Sequence, residues 1–190
     1  MKKRIVIFAS GNGTNAENII KYFQRSQSAE VVLVLSNKKD AKVLDKAKSL
    51  NVQAISFSKS ELFSEDGVLN ILKEINPNLI VLAGFLLKFP KIILKDFPEK
   101  VINIHPALLP KYGGKGMYGS FVHQAVMDNN EKETGITIHY VNENYDEGAI
   151  ISQHSVTLSE NETVDAIAEK VHNLEYKWFP KVIEDILLNG

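Results

Sequence analysis

Cysteine and an excess of charge of one sign are both missing from this chain of 190 residues. The absence of cysteine excludes disulfide bonds, thiolate zinc sites and a cysteine nucleophile, and it fits a reducing compartment such as the cytoplasm. Lysine and arginine (22) nearly balance aspartate and glutamate (23). We therefore expect neither nucleic acid nor a membrane as a partner, since both usually require a basic surface. An anionic substrate would have to be bound locally.

Long hydrophobic runs and flexible linkers are missing as well. No apolar stretch approaches the roughly 20 residues that cross a bilayer, and residues 1–9 lead into a glycine turn rather than a cleavage site. The hydrophobic fraction of 44% is ordinary for a soluble globular protein. We therefore expect one cytoplasmic domain over residues 1–190, as a monomer or a homodimer.

Short apolar runs alternate with segments of helical periodicity through the first half of the chain. Strands are predicted at residues 4–9, 31–36, 54–57 and 79–83, and helices at residues 15–25, 41–50 and 61–75. The second half adds strands at residues 101–104, 135–140 and 149–156, the last antiparallel to its neighbour, and a helix at residues 163–188. This order predicts a Rossmann-like α/β fold with a mixed, mostly parallel sheet flanked by helices.

The most informative segment is residues 101–110, an apolar strand that ends in polar groups and two prolines. Asn103 and His105 are two residues apart, so their side chains project to the same face of the strand. An amide beside an imidazole can stabilise an oxyanion and move a proton, as acyl transfer requires. The plain alternative is that Asn103 caps a turn and His105 bonds a backbone group.

A glycine turn, Ser-Gly-Asn-Gly-Thr-Asn, joins the first strand to the first helix at residues 10–15. Its glycines allow backbone amides at the helix start to approach a phosphate. The turn is neither a Walker motif nor a full dinucleotide fingerprint. It therefore favours a phosphate monoester, and the alternative is a simple turn in which Thr14 or Asn15 caps the helix.

An acidic turn at residues 142–149 separates the last two strands. Aspartate and glycine are common in tight turns for conformational reasons alone. If the turn folds back over His105, however, Asp146 would favour the imidazolium and supply an acid at neutral pH.

Taken together, these motifs resemble the glycinamide ribonucleotide formyltransferases, folate-dependent enzymes of purine biosynthesis. The matching segments are residues 7–15, 81–85, 103–112, 135–139 and 146–148, together with Glu175. Residues 103–110 mark the wider formyltransferase superfamily, and the phosphate loop narrows the resemblance to this member.

The resemblance implies that the substrate's glycyl amine attacks the formyl carbon of 10-formyltetrahydrofolate. His105 would be the general acid and an oxyanion donor, and Asn103 a second oxyanion donor. Asp146 would raise the pKa of His105 and assist proton transfer. Neither a metal nor a covalent enzyme intermediate is implied.

The resemblance also implies the binding residues. The phosphate would be held by Gly13, Thr14 and Asn15, and the glycinamide end by His172, Asn173, Leu174 and Glu175. The folate would contact Leu86, Leu87, Lys88, Phe89, Asn103, Asn142, Glu143, Asn144, Tyr145 and Asp146. Residues 1–100 would thus form the phosphate and substrate half, and residues 101–190 the catalytic and folate half. For residues 86–89, packing alone is the plain alternative.

The chain departs from the family pattern in two places. An arginine that many members carry near position 61 to hold the folate is absent, and Lys59 is the nearest cation. The loop at residues 113–119 is longer and richer in glycine than usual. It is either a lid with Lys115 facing the phosphate or a variable surface loop.

Three other functions compete with this one. Formyltetrahydrofolate hydrolase and methionyl-tRNA formyltransferase share the Asn-His-Asp arrangement. The first usually adds a regulatory domain and the second an RNA-binding domain, and 190 residues are expected to hold neither. The third is a non-catalytic nucleotide- or folate-binding module. His123, His139 and His154 do not have a metal-ligand spacing; His139 either helps build the site or is structural.

Overall fold

A seven-stranded sheet runs through the middle of the protein in the computed structural model, which describes residues 2–189. Its order is β3-β2-β1-β4-β5-β6-β7. The strands are β1 Lys3–Phe8, β2 Ala29–Ser36, β3 Gln53–Ser56, β4 Leu79–Leu82, β5 Val101–His105, β6 Glu133–Tyr140 and β7 Ile150–Thr157. The first five strands pair in parallel, whereas β6 is antiparallel to both β5 and β7. The predicted α/β class and the antiparallel last strand are therefore confirmed.

Helices cover both faces of the sheet. They are α1 Thr14–Ser26, α2 Lys42–Ser49, α3 Lys59–Phe63, α4 Asn70–Ile75, α5 Lys91–Asp96, α6 Ser120–Asp128 and α7 Val164–Asn189. Side chains of β1 alternate between two cores, because Ile5 and Ile7 pack with α1 and α7 while Val6 and Phe8 pack on the opposite face. Such burial on both faces explains why the parallel strands are continuous apolar runs. No helix within residues 2–189 is long and apolar enough to span a membrane.

The single helix predicted at residues 61–75 is wrong. A capping box begins α3 early, since the Glu61 N–H donates to Ser58 Oγ and the Ser58 N–H donates to Glu61. A π-helical turn at Glu65–Leu69 then breaks the helix, with Gly67 at φ −100° and ψ −123°. A Cβ at Gly67 would lie 2.1 Å from the Glu61 carbonyl oxygen, so the kink brings backbone against backbone.

The connections place a crevice between β1 and β4. From β1 the chain moves outward to β2 and β3, and it then returns to pair β4 with the other side of β1. Reversals of this kind leave the loops after the two central strands free to diverge, which is where open α/β sheets bind ligands. The turn after β1 leads into residues 13–15, the loop after β4 contains residues 86–89, and β5 itself carries Asn103 and His105.

Candidate active site

A cavity of about 610 Å³ opens at the carboxyl ends of β1, β4 and β5. Its walls are residues 11–15, 83–86, 103–106 and 114–119, together with His123, Tyr145, Asp146, His172 and Glu175. The structure thus brings together the glycine turn, the Asn103 and His105 pair, the acidic turn and the last helix. These segments are far apart in sequence and meet only through the sheet.

Ser10 ties the glycine turn to the loop after β4. Its buried side chain donates a hydrogen bond to Asn37 Oδ1 over 2.6 Å and accepts one from the Leu86 N–H over 3.0 Å. The Ser10 N–H also donates to the Gly84 carbonyl oxygen over 3.0 Å. The two bonds to Leu86 and Gly84 fix one wall of the cavity relative to the other, and the bond to Asn37 orients the Ser10 hydroxyl.

The first helix begins without a side-chain cap. Gly13 occupies the N-cap position at φ 67°, and no side chain accepts from the first turn of α1. The alternative in which Thr14 or Asn15 caps the helix is therefore wrong. Because the first N–H groups of a helix have no partners within it, uncapped amides beside a cavity favour an anion.

Gly13→Ala is expected to distort this turn. The added Cβ would lie 2.2 Å from Val43 Cγ2, and φ would stay in the left-handed region. We expect a loss of about 1–3 kcal/mol in the free energy of unfolding, measured in urea. Gly11→Ala is the matched control, because its Cβ meets nothing within 4 Å, and it should change stability by only about 0.5 kcal/mol. Equal losses in the two variants would contradict the role given to Gly13.

Four polar side chains form the centre of the site. His105 is 3% exposed, and its Nε2 donates to the Tyr112 carbonyl oxygen over 2.7 Å. His105 Nδ1 lies 3.6 Å from Asp146 Oδ2, and His139 Nε2 lies 3.7 Å from Asp146 Oδ1. Asn103 Nδ2 is 3.1 Å from His139 Nε2. The expected approach of Asp146 to His105 is thus present in the structure.

The acidic turn is held over the site by the glycine-rich loop. Asp146 has φ 57°, a conformation that aspartate tolerates better than most residues. Its Oδ2 accepts a hydrogen bond of 2.8 Å from the Gly114 N–H. Asp146 therefore contacts both histidines and the loop that lines the cavity.

Protonation of the centre differs from the sequence expectation. Burial lowers the pKa of His105, and this outweighs Asp146 and the Tyr112 carbonyl, which act in the opposite direction. Asp146 does raise the pKa of His105, as expected from the sequence. The expectation that His105 is therefore an acid at neutral pH is wrong, because the effect of burial is larger and lowers the pKa overall. For Asp146, burial raises the pKa, but contacts with His139, His105 and the Gly114 N–H lower it overall. The free protein thus holds a neutral His105 beside an ionised Asp146 at neutral pH.

A second polar group lies where α1 meets α7. Glu175 is buried, and its Oε2 accepts a hydrogen bond of 2.8 Å from Asn15 Nδ2. Burial raises the pKa of Glu175, against the Asn15 bond and the charge of His172. The side chain of Asn15 therefore orients the carboxyl group of Glu175. Of the polar groups of Asn15, only the backbone N–H remains to bind an anion at the start of α1.

Two residues predicted for the glycinamide end do not line the cavity. Asn173 is exposed and Leu174 packs against the core, whereas His172 and Glu175 line the wall. The helical period explains the difference, because His172 and Glu175 are three residues apart and share one face of α7.

The two predicted folate segments meet at a smaller cavity of about 60 Å³. Its lining includes Leu87, Lys88, Phe89, Asn142, Asn144 and Tyr145. Leu86 lines the larger cavity instead, and Glu143 pairs with Lys91 away from both. Phe89 also packs edge-on against Phe8 in the core. This segment therefore both packs against the core and lines a cavity. Lys59 lines neither cavity.

His123 is a residue of the site that sequence analysis missed. It is 3% exposed, lines the larger cavity from α6, and its Nδ1 is buried without a partner. Its ring centroid lies 6.4 Å from that of His172. Burial, together with His172 and His105, lowers the pKa of His123 to about 4. His123 reaches the cavity only because α6 packs against α7, and no local sequence pattern indicates that contact.

This shifted pKa predicts a pH dependence of stability. His123 is neutral when folded but binds a proton below about pH 6.5 when unfolded, so stability falls as pH drops from there toward about 4. In urea denaturation, wild type should lose up to about 3 kcal/mol relative to His123→Phe across that range. The comparison cancels Glu175, whose raised pKa acts in the opposite direction. Parallel stability curves for the two proteins would contradict the assignment.

The residues described by the structure contain no group of three or more histidine, aspartate or glutamate side chains that could hold a metal ion. The polar side chains at the centre of the site are an amide, two imidazoles and a carboxylate.

Comparison with known proteins gives a consistent result. The family model described as formyl transferase matches residues 3–183. The phosphoribosylglycinamide formyltransferase of Bacillus subtilis is 33% identical over 190 residues, covering 97% of this chain and 95% of that protein. The chloroplastic phosphoribosylglycinamide formyltransferase of Arabidopsis thaliana is 36% identical over 96% of this chain, which spans only 64% of the plant protein.

Solved structures agree with the sequence comparison. The phosphoribosylglycinamide formyltransferase of Coxiella burnetii superposes with a TM-score of 0.90 at 32% identity, covering 100% of this chain and 89% of that one. The glycinamide ribonucleotide transformylase 1 of Geobacillus kaustophilus gives a TM-score of 0.89 at 33% identity, covering 98% and 100%. The likeness therefore extends over nearly the whole of this chain.

Proposed function

The chain belongs to the formyl transferase family and, within it, to the phosphoribosylglycinamide formyltransferases, and from that membership we propose how its residues transfer a formyl group. The acceptor is the glycyl amine of glycinamide ribonucleotide, and the reaction serves purine biosynthesis. The formyl donor is 10-formyltetrahydrofolate, and the products are formylglycinamide ribonucleotide and tetrahydrofolate.

One observation carries this proposal: the two cavities share part of their lining. Phe85, Asn103, Tyr145 and Asp146 line both of them. A folate lying along the two segments that meet at the smaller cavity, and a phosphorylated acceptor in the larger cavity, would therefore meet beside Asn103 and Asp146. Bringing two reactants together at oriented polar groups lowers the entropic part of the barrier.

The acceptor is held at its two ends. Its phosphate lies at the uncapped start of α1, against backbone N–H groups of Gly13, Thr14 and Asn15. Its amine lies toward Glu175, which Asn15 orients. Burial favours the neutral form of Glu175, whereas an ammonium group beside it favours the carboxylate, and the amine releases one proton to solvent before it reacts.

His105 then moves a single proton. Attack of the amine on the formyl carbon forms a carbon–nitrogen bond and gives an intermediate with a positive nitrogen and a negative oxygen. Because Nε2 of His105 donates to Tyr112, Nδ1 has the free lone pair in the neutral ring. Nδ1 accepts the proton from the positive nitrogen and returns it to the departing folate nitrogen as that bond breaks. Asp146 stabilises the imidazolium between the two transfers.

Asn103 donates to the oxyanion of the intermediate. His139 Nδ1 donates to the Tyr140 carbonyl oxygen over 2.8 Å, so its Nε2 accepts from Asn103 Nδ2. That bond uses one hydrogen of the amide and leaves the second for the oxyanion. His139 therefore positions Asn103, and donors fixed in advance stabilise developing charge most strongly.

Steady-state release of tetrahydrofolate from 10-formyltetrahydrofolate tests the proposed function. The assay is run with glycinamide ribonucleotide, with formylatable methionyl-tRNA, and with neither acceptor. Release only with the ribonucleotide is the expected result. Release without an acceptor would indicate a hydrolase, release with tRNA a different transferase, and no release in any arm a binding module.

A further inference from the structure

The larger cavity contains very little positive charge for a site that takes a phosphate. Lys115 is the only lysine or arginine in its lining. The shifted pKa values of His105 and His123 leave both rings neutral near pH 7, while Asp146 is ionised. A phosphate monoester carries about −1.5 to −2 charges at this pH. Lys115 is therefore the one lysine or arginine side chain in the lining that can balance it.

Lys115 is free to take that role. It is exposed, and it forms no ion pair within residues 2–189. Lys111, at the base of the same loop, is instead held by Glu131 at 2.8 Å. The difference makes Lys111 a suitable control for Lys115.

The loop that carries Lys115 is packed at its base and open at its tip. A Cβ at Gly113 would lie 3.4 Å from Asp146 Cβ, and the Gly114 N–H donates to Asp146 Oδ2. A Cβ at Gly116 would meet nothing within 4 Å. Lys115 thus adjoins the residue that bonds the catalytic carboxylate, on a segment with room to move.

We propose that Lys115 binds the phosphate of the acceptor and, through the adjacent Gly114 N–H, sets the position of Asp146 beside His105. This inference rests on the proposed function. Binding of the phosphate would then also place Asp146 correctly for the reaction at the amine. The contact would therefore raise kcat as well as affinity.

Two acceptors and three proteins test the proposal: glycinamide ribonucleotide and its dephosphorylated riboside, with wild type, Lys115→Met and Lys111→Met. We expect Lys115→Met to lower kcat/KM for the ribonucleotide by about 10–100-fold, and for the riboside by less than about threefold. Lys111→Met should change neither by more than about twofold. Equal losses on both acceptors, or no loss on the ribonucleotide, would overturn the phosphate contact.

The coupling to Asp146 has its own readout. With the ribonucleotide, Lys115→Met should lower kcat by about threefold or more in addition to raising KM. A rise in KM with unchanged kcat would overturn the coupling. Lys115→Arg keeps the charge and should recover most of the affinity; failure to recover any would overturn the charge-based contact. Wild type is assayed alongside, so inactivity of wild type marks failure of the proposed function rather than of this inference.

Discussion

His105→Ala should lower kcat by about a thousandfold while changing KM for either substrate by less than about threefold. In the proposed mechanism, the substitution removes the group that carries the proton from the attacking nitrogen to the folate nitrogen. That transfer begins only once the amine has attacked, so the loss falls on the transition state. Steady-state kinetics with each substrate varied in turn measures the effects on kcat and on KM separately.

Two further variants make this result interpretable. The Tyr112 carbonyl loses its partner in His105→Ala, so His105→Gln is included to keep a donor in reach without an imidazole. His154→Ala removes a histidine that stacks on Trp178 outside both cavities, and it should leave kcat within about twofold. An equal loss of binding and turnover in the His105 variants would contradict the assigned role.

Asp146→Asn should lower kcat by about a hundredfold or more, because the imidazolium at His105 loses its counter-charge. Asparagine keeps the size, tolerates the left-handed backbone at this position and can still accept from the Gly114 N–H. The change therefore removes charge while preserving shape. Circular dichroism and urea denaturation check that the fold persists.

The pH profile separates an electrostatic role from a structural one. His105 must be neutral to accept a proton, so the rate falls on the acid side as His105 protonates, below its ordinary pKa of about 6.5. Without the charge of Asp146, the pKa of His105 should fall further, and the acid limb should move to lower pH. A lower rate with an unmoved acid limb would contradict the electrostatic role.

Much of the fold and of the site is predictable from the sequence, for identifiable reasons. Buried parallel strands leave continuous apolar runs, so β1, β4 and β5 can be placed to within a residue or two. The two-residue period of a strand is enough to put Asn103 and His105 on one face of β5. The glycine turn at the start of α1 is similarly local. These features depend on near neighbours in the chain.

What the sequence could not predict depends on distant parts of the fold. Asn15 is a natural helix cap by residue type, but it faces Glu175 only because α7 packs on α1. The net direction of the His105 pKa follows from burial under the loops, which no local pattern encodes. The short helices α5 and α6 escaped prediction, since brief segments carry little periodicity. His123 was missed with α6.

The central claim is that the formyl group passes directly from the folate to the glycyl nitrogen inside this cavity. A donor labelled with ¹³C at the formyl carbon tests it most directly, with glycinamide ribonucleotide as acceptor and the products followed by NMR. The account predicts that the label appears as the formamide carbon of formylglycinamide ribonucleotide, at the rate of tetrahydrofolate release. Label recovered as free formate, with the ribonucleotide unchanged, would contradict it.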